Sequence, residues 1–136
     1  MRSPDYGQIP GLPEHFGCDF ALELFRKGSF SHEFENAVKK VHEAGHFRIP
    51  IYLSIGTEFN GAVFSMLLQG CNIFAQHRCH SLYLSFGGNP ESLRDELLGL
   101  PSGCAGGMAG SNAIQSDEAN MYGHSGLMGE QIPIAV

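Results

Sequence analysis

The densest group of chemically active side chains in the sequence is the tetrapeptide His77-Arg78-Cys79-His80. It follows a short apolar run and precedes a helical pattern, so we expect it at a junction between a strand and a helix. Ligand sites of open α/β sheets lie beyond the carboxyl ends of strands, where an arginine can bind a phosphate through two parallel hydrogen bonds. A solvated helix start is the alternative that the residues leave open. A zinc site is disfavoured because these nearly adjacent ligands lack a second, separated pair.

Two glycine-rich segments are also candidates for ligand contact. Residues 103–111 contain four glycines, and residues 122–133 contain three glycines with one histidine and one carboxylate. Backbone can approach a ligand closely where side chains are absent, so the first segment predicts a loop that wraps a phosphate or lines a cleft. A mobile surface loop is its alternative. A serine hydrolase is disfavoured because Ser125 lacks the G-x-S-x-G turn that such enzymes use.

Helices that alternate with short extended runs must position these groups. A long amphipathic helix is predicted from about Phe20 to Gly45, with Gly28 as a point of kinking or division. Extended runs are predicted at 49–55 and 72–75. Shorter helices are predicted after Thr57, around Leu82, Tyr83 and Phe86, and from Ser92 to Leu100 with Pro90 in a first-turn position. The long helix has an apolar face (Phe30, Phe34, Ala37, Val38, Val41, Ala44) and a charged face (Glu33, Glu35, Lys39, Lys40, Glu43). This alternation predicts an α/β fold.

Composition limits the class of protein. The chain has 136 residues and a formal net charge of −6, which is the wrong sign for a protein that binds nucleic acid through its phosphates. No apolar run approaches the roughly 20 residues that cross a bilayer, so we expect no membrane partner. The four cysteines form no C-x-x-C pair, and no signal peptide is recognisable, which favours a cytoplasmic protein. Prolines and glycines predict an extended arm at 1–19, followed by one domain at 20–136.

Five segments in order give the chain a family resemblance. Together they resemble the alpha subunit of the thiamine-diphosphate-dependent 2-oxo acid dehydrogenases, the decarboxylating first component of the pyruvate and branched-chain complexes. The resemblance covers most of the chain after about Phe20. Its segments are Arg26-Lys27 with Phe34-Glu35 (R-K-x(6)-F-E), Ile55–Glu58 (like G-Q-E), Ala75–His80 (like Y-R-x-H-G), Gly103–Ser111 (like G-C-x-x-G-x-G-G-S), and Gly126–Pro133 (like G-I-V-G-A-Q-x-P).

The resemblance implies a set of site residues. Arg78 matches the arginine that contacts the cofactor diphosphate, and His77 takes the place of a tyrosine that also reaches it. Tyr52 falls where some members have a histidine at the substrate end. The main chain of Gly126 and Met128 matches positions that border the aminopyrimidine ring. His80 matches a family histidine near the site and is our candidate catalytic residue.

The resemblance also implies cofactors and partners. These are thiamine diphosphate and magnesium, a 2-oxo acid substrate, and a beta subunit that completes the site in a heterotetramer. A lipoyl acyltransferase core is a further implied partner. The cofactor would add to the 2-oxo group and take up electrons as carbon dioxide leaves. The fold implied is the amino-terminal part of a thiamine-diphosphate-binding fold, a parallel sheet flanked by helices.

Three departures from the family pattern shape the alternatives. Asn112 and Ala113 follow Ser111 where the family has Met-His, and the loop before Ser111 lacks the family lysines. The sequence contains no G-D-G motif, so we expect that no residue of this chain binds magnesium. We therefore expect an amino-terminal portion that is inactive alone. A split transketolase-type thiamine enzyme and a non-catalytic truncated scaffold are the alternatives.

Overall fold

The computed structural model describes residues 16–124, 127 and 129–136. In this part of the chain five helices and two strands follow one another in the order α1 (Cys18–Glu43), α2 (Glu58–Leu67), β1 (Ile73–Ala75), α3 (His80–Ser85), α4 (Pro90–Leu97), β2 (Met121–His124) and α5 (Gln131–Ala135). The predicted arm falls largely outside these residues, and α1 begins at Cys18, just before the predicted start of the domain. None of the helices in the described ranges combines the length and apolar character that crossing a membrane requires.

The two strands form a parallel pair. Ile73 lies opposite Met121 and Ala75 lies opposite His124, with an irregularity in register between Ile73 and Phe74. A parallel pair needs a crossover connection, which α3, α4 and the glycine-rich segment provide. Mixed helices with a parallel sheet confirm the α/β class. The sequence analysis predicted β1 within 72–75 but missed β2.

Helix α1 is continuous through Gly28, so the predicted division is absent, and its buried face differs from the predicted one. The residues that α1 buries are Gly28, Ser31, Glu35 and Val38. Glu35, assigned above to the charged outer face, is completely buried, whereas Phe30 is 51% exposed. The predicted apolar face is confirmed for Val38, which is buried, and for Phe34, which packs against the core. It was wrong for Phe30 and Glu35, because apolar spacing alone does not reveal that a carboxylate has partners inside the fold. The predicted end of the helix is confirmed by Gly45, which has the left-handed φ of 76° that favours glycine after a helix.

Helices α2 and α3 approach each other closely. A Cβ atom added to Gly61 of α2 would lie 2.9 Å from the carbonyl oxygen of Ser81 in α3. The core beyond this contact contains fully buried side chains from α3, α4, β2 and the segment before β2, namely Tyr83, Leu93, Leu97, Ile114 and Met121. Tight packing around α3 therefore fixes the segment that precedes it, which carries His77 and Arg78.

Helix α4 begins as the sequence predicts. Asn89 is its N-cap, and its side-chain oxygen accepts hydrogen bonds from the backbone N–H groups of Glu91 (2.7 Å) and Ser92 (3.1 Å). Pro90 occupies the first turn, where its missing N–H would have no helical partner. Thr57 is the N-cap of α2, but its hydroxyl donates to the carbonyl of Ser54 instead of capping the helix.

Candidate functional site

The junction between β1 and α3 carries the predicted cofactor-binding arginine. Arg78 has a φ of 69°, a left-handed backbone conformation that is uncommon for a residue with a side chain. Two hydrogen bonds hold it: the Ser54 hydroxyl donates to the Arg78 carbonyl (2.8 Å), and Arg78 Nη1 donates to the Leu53 carbonyl (2.9 Å). Both partners belong to the segment before α2. The arginine is therefore anchored at its backbone and at its guanidinium while remaining exposed.

A cavity of about 200 Å³ lies beside this arginine. Its lining includes Arg78, the apolar residues Phe64 and Leu82, and polar residues at the starts of α2 and α3, namely Thr57, Asn60 and Ser81. Gly61 also lines it. A cationic group with neutral hydrogen-bonding neighbours is the chemistry that a phosphate or diphosphate requires.

Tyr52 and His77 form an aromatic pair next to Arg78. Their ring centroids are 5.3 Å apart with an interplanar angle of 65°, an edge-to-face contact. Both side chains are half-buried. The structure thus brings Tyr52, His77 and Arg78 together at the carboxyl end of β1, as the sequence analysis expected, while their contact with a cofactor stays a prediction.

Gly126 and Met128 lie outside the described residues. In the sequence they come shortly after β2. The last residue of β2, His124, pairs with Ala75 at the end of β1. The carboxyl ends of two parallel strands lie at one edge of a sheet, which is where ligands of α/β proteins bind. Helix α5 returns to this edge, and its first residue accepts a 3.4 Å hydrogen bond from the Gln76 side chain through Gln131 Oε1.

His80 is completely buried and lies between a carboxylate and a hydroxyl. Its Nδ1 is 2.8 Å from Glu35 Oε1, and its Nε2 is 2.9 Å from Ser111 Oγ. Glu35 and Ser111 are themselves fully buried. The predicted catalytic role of His80 stays a prediction, and the geometry places both ring nitrogens on partners within the chain. Sequence reasoning gave Glu35 and Ser111 no role, although both lie in segments of the family resemblance.

Glu58, in the segment like G-Q-E, has two partners close to the arginine anchor. It accepts hydrogen bonds from the Gly56 backbone N–H at 2.7 Å and faces His32 Nδ1 at 2.9 Å. Burial raises the pKa of this carboxyl, but the hydrogen bonds from His32 and from the backbone outweigh burial and hold the pKa below its ordinary value. A charged Glu58 therefore braces the turn that leads from Ser54 into α2.

The glycine-rich loop folds around a carboxylate of this chain. Glu96 is fully buried, and each of its oxygens accepts two backbone N–H groups from residues 105–110 at 2.8 to 2.9 Å. The amides that the sequence analysis offered to a phosphate are thus occupied by Glu96, and the alternative of a mobile surface loop is equally inconsistent with this bonding. Gly103 is required here because an added Cβ would lie 2.5 Å from Glu96 Oε2.

The buried Cys79 and the half-buried Cys104 are poor nucleophiles. Burial raises the pKa of Cys79 to about 12, and burial together with the Glu96 charge raises the pKa of Cys104 to about 11. Burial also raises the pKa of Tyr83, whose hydroxyl donates to the Asn89 carbonyl at 3.1 Å. No group of three or more histidine, cysteine or acidic side chains within the described residues could hold a metal ion, so His77, Cys79 and His80 are not gathered as zinc ligands.

The fold and site define a class of protein: an α/β domain with a cationic ligand edge beyond parallel strands. Curated relatives make the class more specific. The chain is 31% identical over 114 residues to pyruvate dehydrogenase E1 component subunit alpha-1, mitochondrial, of Oryza sativa subsp. japonica, covering 83% of this chain and 29% of that protein. It is 27% identical over 130 residues to the pyruvate dehydrogenase E1 component subunit alpha of Zymomonas mobilis subsp. mobilis, covering 93% of this chain and 37% of that protein. No family model matches the chain.

These matches confirm the family resemblance that the five segments indicate. The chain is a relative of the alpha subunits of the pyruvate dehydrogenase E1 component over most of its own length, including one in Schizosaccharomyces pombe at 31% identity. It spans about a third or less of the rice and Schizosaccharomyces relatives, at 29% and 27% of their lengths. The chain is therefore similar to a part of such a subunit.

Proposed function

We propose that this chain supplies one wall of a thiamine diphosphate site in a 2-oxo acid dehydrogenase alpha subunit, within a thiamine-diphosphate-binding fold. The observation that carries the proposal is the anchored Arg78 at the carboxyl end of β1, beside a cavity with polar neighbours. The curated relatives, whose names describe pyruvate dehydrogenase alpha subunits, support the same assignment.

In this proposal each residue of the site has its own task. Arg78 binds the diphosphate, because a guanidinium carries a permanent charge and donates two parallel hydrogen bonds. His77, next in the chain, donates to the same anion. Tyr52 packs edge-on against His77 and faces the substrate end, while the main chain of Gly126 and Met128 borders the aminopyrimidine.

The residues present fit one end of the cofactor. The exposed Arg78 guanidinium and the side-chain amide of Asn60 suit a diphosphate, because both can donate hydrogen bonds to its oxygens. The described residues contain no cluster of acidic or histidine ligands for magnesium, so the proposal assigns the metal ligands to other residues. When bound, thiamine diphosphate supplies the electron sink for decarboxylation. The residues of the chain bind and orient the cofactor and exclude water from the site.

The partners follow from the same proposal. A beta subunit completes the site and supplies the acid that activates the aminopyrimidine, in a heterotetramer that passes its acyl group to a lipoyl acyltransferase core. This chain alone would then be inactive. The cytoplasmic location stays a prediction, since the names of the relatives include mitochondrial and chloroplastic proteins.

Reconstitution tests the function. A full-length alpha subunit that contains this chain and the metal ligands is combined with a beta subunit, magnesium and thiamine diphosphate, and release of carbon dioxide from a set of 2-oxo acids is measured. Carbon dioxide release with acyl transfer supports the proposal. Ketol transfer between sugars would identify a transketolase-type enzyme instead, and an absence of cofactor binding by calorimetry would identify a scaffold.

A further inference from the structure

A chain of buried hydrogen bonds connects α1 to both segments that carry the proposed site. It runs from the Ser54 backbone through Glu35, His80 and Ser111 to the Tyr52 backbone. We infer that Glu35, His80 and Ser111 are positioning residues that hold Tyr52 and Arg78 in place for the diphosphate. The inference rests on the proposed function for its ligand, but the hydrogen-bond chain can be tested without it.

The segment from Tyr52 to Ser54 depends on these side chains for its backbone hydrogen bonds. It belongs to no strand in the described part of the chain. The Tyr52 N–H donates to Ser111 Oγ at 2.8 Å, and the Ser54 N–H donates to Glu35 Oε2 at 3.1 Å. Buried backbone donors are almost always paired, so a serine and a glutamate here take the place of a neighbouring strand.

The donor and acceptor of each hydrogen bond follow from the groups near the two ends of the network, the Glu35 carboxylate and the Tyr52 N–H. Glu35 as a carboxylate accepts only, so His80 Nδ1 must carry the hydrogen that it receives. With a neutral ring, Nε2 then accepts from the Ser111 hydroxyl, whose oxygen remains available to accept the Tyr52 N–H. Each ring nitrogen of His80 then has one partner, and these partners assign His80 the Nδ1–H tautomer.

The same network reaches the arginine through Ser54. While its N–H donates to Glu35, its hydroxyl donates to the Arg78 carbonyl. Arg78 keeps a left-handed backbone only where its surroundings impose it, and in this conformation its guanidinium donates to the Leu53 carbonyl. Glu35, on α1, thus acts on Arg78 through a single residue, Ser54.

His80 has this positioning role, in our assignment, rather than contact with substrate. Its side chain is 0% exposed, and both ring nitrogens are within 2.9 Å of partners in the chain. A general acid or base has to come within hydrogen-bonding distance of the reacting group.

Nitrogen NMR on the chain with labelled histidine tests the network without a cofactor. We expect His80 to show a protonated Nδ1 and an unprotonated Nε2 at neutral pH. In Glu35→Gln the amide has one accepting oxygen: either its NH₂ faces His80 and the tautomer reverses, or it faces Ser54 and that amide exchanges about tenfold faster or more. Glu33→Gln, at an exposed position of α1, is the matched control and should change neither. A protonated Nε2 in the unsubstituted chain, or a Glu35→Gln variant identical to the control, would overturn the inference.

Calorimetry with thiamine diphosphate and magnesium tests the consequence for the ligand, on a full-length alpha subunit that contains this chain, combined with a beta subunit. Ser54→Ala and Ser111→Ala should each weaken binding about 3- to 10-fold, since each removes one hydrogen bond that holds the site. Arg78→Ala should weaken it further. If Arg78→Ala weakens binding and the serine variants do not, positioning is wrong and the proposed function stands. If Arg78→Ala binds like the unsubstituted chain, the proposed function is wrong, and the NMR result still decides the network.

Discussion

Replacing Glu96 by glutamine should unfold the glycine-rich loop, because the carboxylate is the centre on which that loop closes. In the native loop Oε2 accepts the N–H groups of Ala105 and Gly107, and Oε1 accepts those of Ala109 and Gly110. A glutamine has one accepting oxygen and one NH₂. Whichever way its amide is turned, two backbone donors then face another donor.

The size of the effect follows from those two donors. Each buried N–H left without an acceptor lowers stability by about 1–3 kcal/mol, so the variant should lose about 2–6 kcal/mol of unfolding free energy. The remaining two hydrogen bonds also weaken, since they no longer go to a charged acceptor. A domain of this size is stable by only about 5–15 kcal/mol, so a loss at the upper end would leave it partly unfolded.

Urea unfolding followed by far-ultraviolet circular dichroism measures this loss, and hydrogen exchange locates it. Glu91→Gln, an exposed carboxylate in the first turn of the same helix, is the matched control and should lose less than about 1 kcal/mol. The amides of Gly107 and Gly110 should lose protection in Glu96→Gln alone. If the two variants were equally stable and kept the same protected amides, Glu96 would not be the centre of the loop.

Three further predictions concern packing, thiol reactivity and pH. Gly61→Ala should lower the free energy of unfolding by about 1–3 kcal/mol in thermal or urea unfolding, because its new Cβ meets the Ser81 carbonyl. Helix propensity alone would raise the free energy of unfolding by about 1 kcal/mol, so an increase would contradict the close contact of α2 and α3. Cys79, whose pKa is raised to about 12, should stay unmodified by iodoacetamide at neutral pH while exposed Cys18 reacts, and modification of both at equal rates in mass spectrometry would contradict its burial. Because the folded pKa of Glu58 lies below its ordinary value of 4.5, its contribution to stability is present above that pH and is lost as pH falls through the folded value. Glu58→Gln should therefore show a shallower loss of stability in acid than the unsubstituted chain, and equal acid profiles would count against this account.

Local signals predicted much of the fold. Pro90 indicated the first turn of α4, Gly45 marked the end of α1, and the run before Gln76 predicted β1. These signals are contained in a few neighbouring residues. The strand β2, by contrast, has the sequence Met-Tyr-Gly-His with no apolar run, and its pairing with β1 depends on residues almost fifty positions away.

The candidate site was predictable only in part, for the same physical reason. A cluster of histidine and arginine after a strand indicates a ligand site, and the structure places this cluster directly after β1, while its contact with a ligand stays a prediction. The burial of Glu35 was not predictable, because its partner His80 lies 45 residues away. Glycine density indicated that backbone closes around an anion in residues 103–111, but composition does not say that the anion is the side chain of Glu96.

The most direct test of the central claim measures whether Arg78 recognises the diphosphate itself. The affinities of thiamine diphosphate and of thiamine are compared by calorimetry, for a full-length alpha subunit that contains this chain and for its Arg78→Ala variant, each combined with a beta subunit and magnesium. Removing a charge-assisted contact of about 1.5–3 kcal/mol should reduce the preference for the diphosphate form by about 10- to 100-fold and leave thiamine binding nearly unchanged. An Arg78→Ala variant that keeps the full preference for thiamine diphosphate would contradict the account.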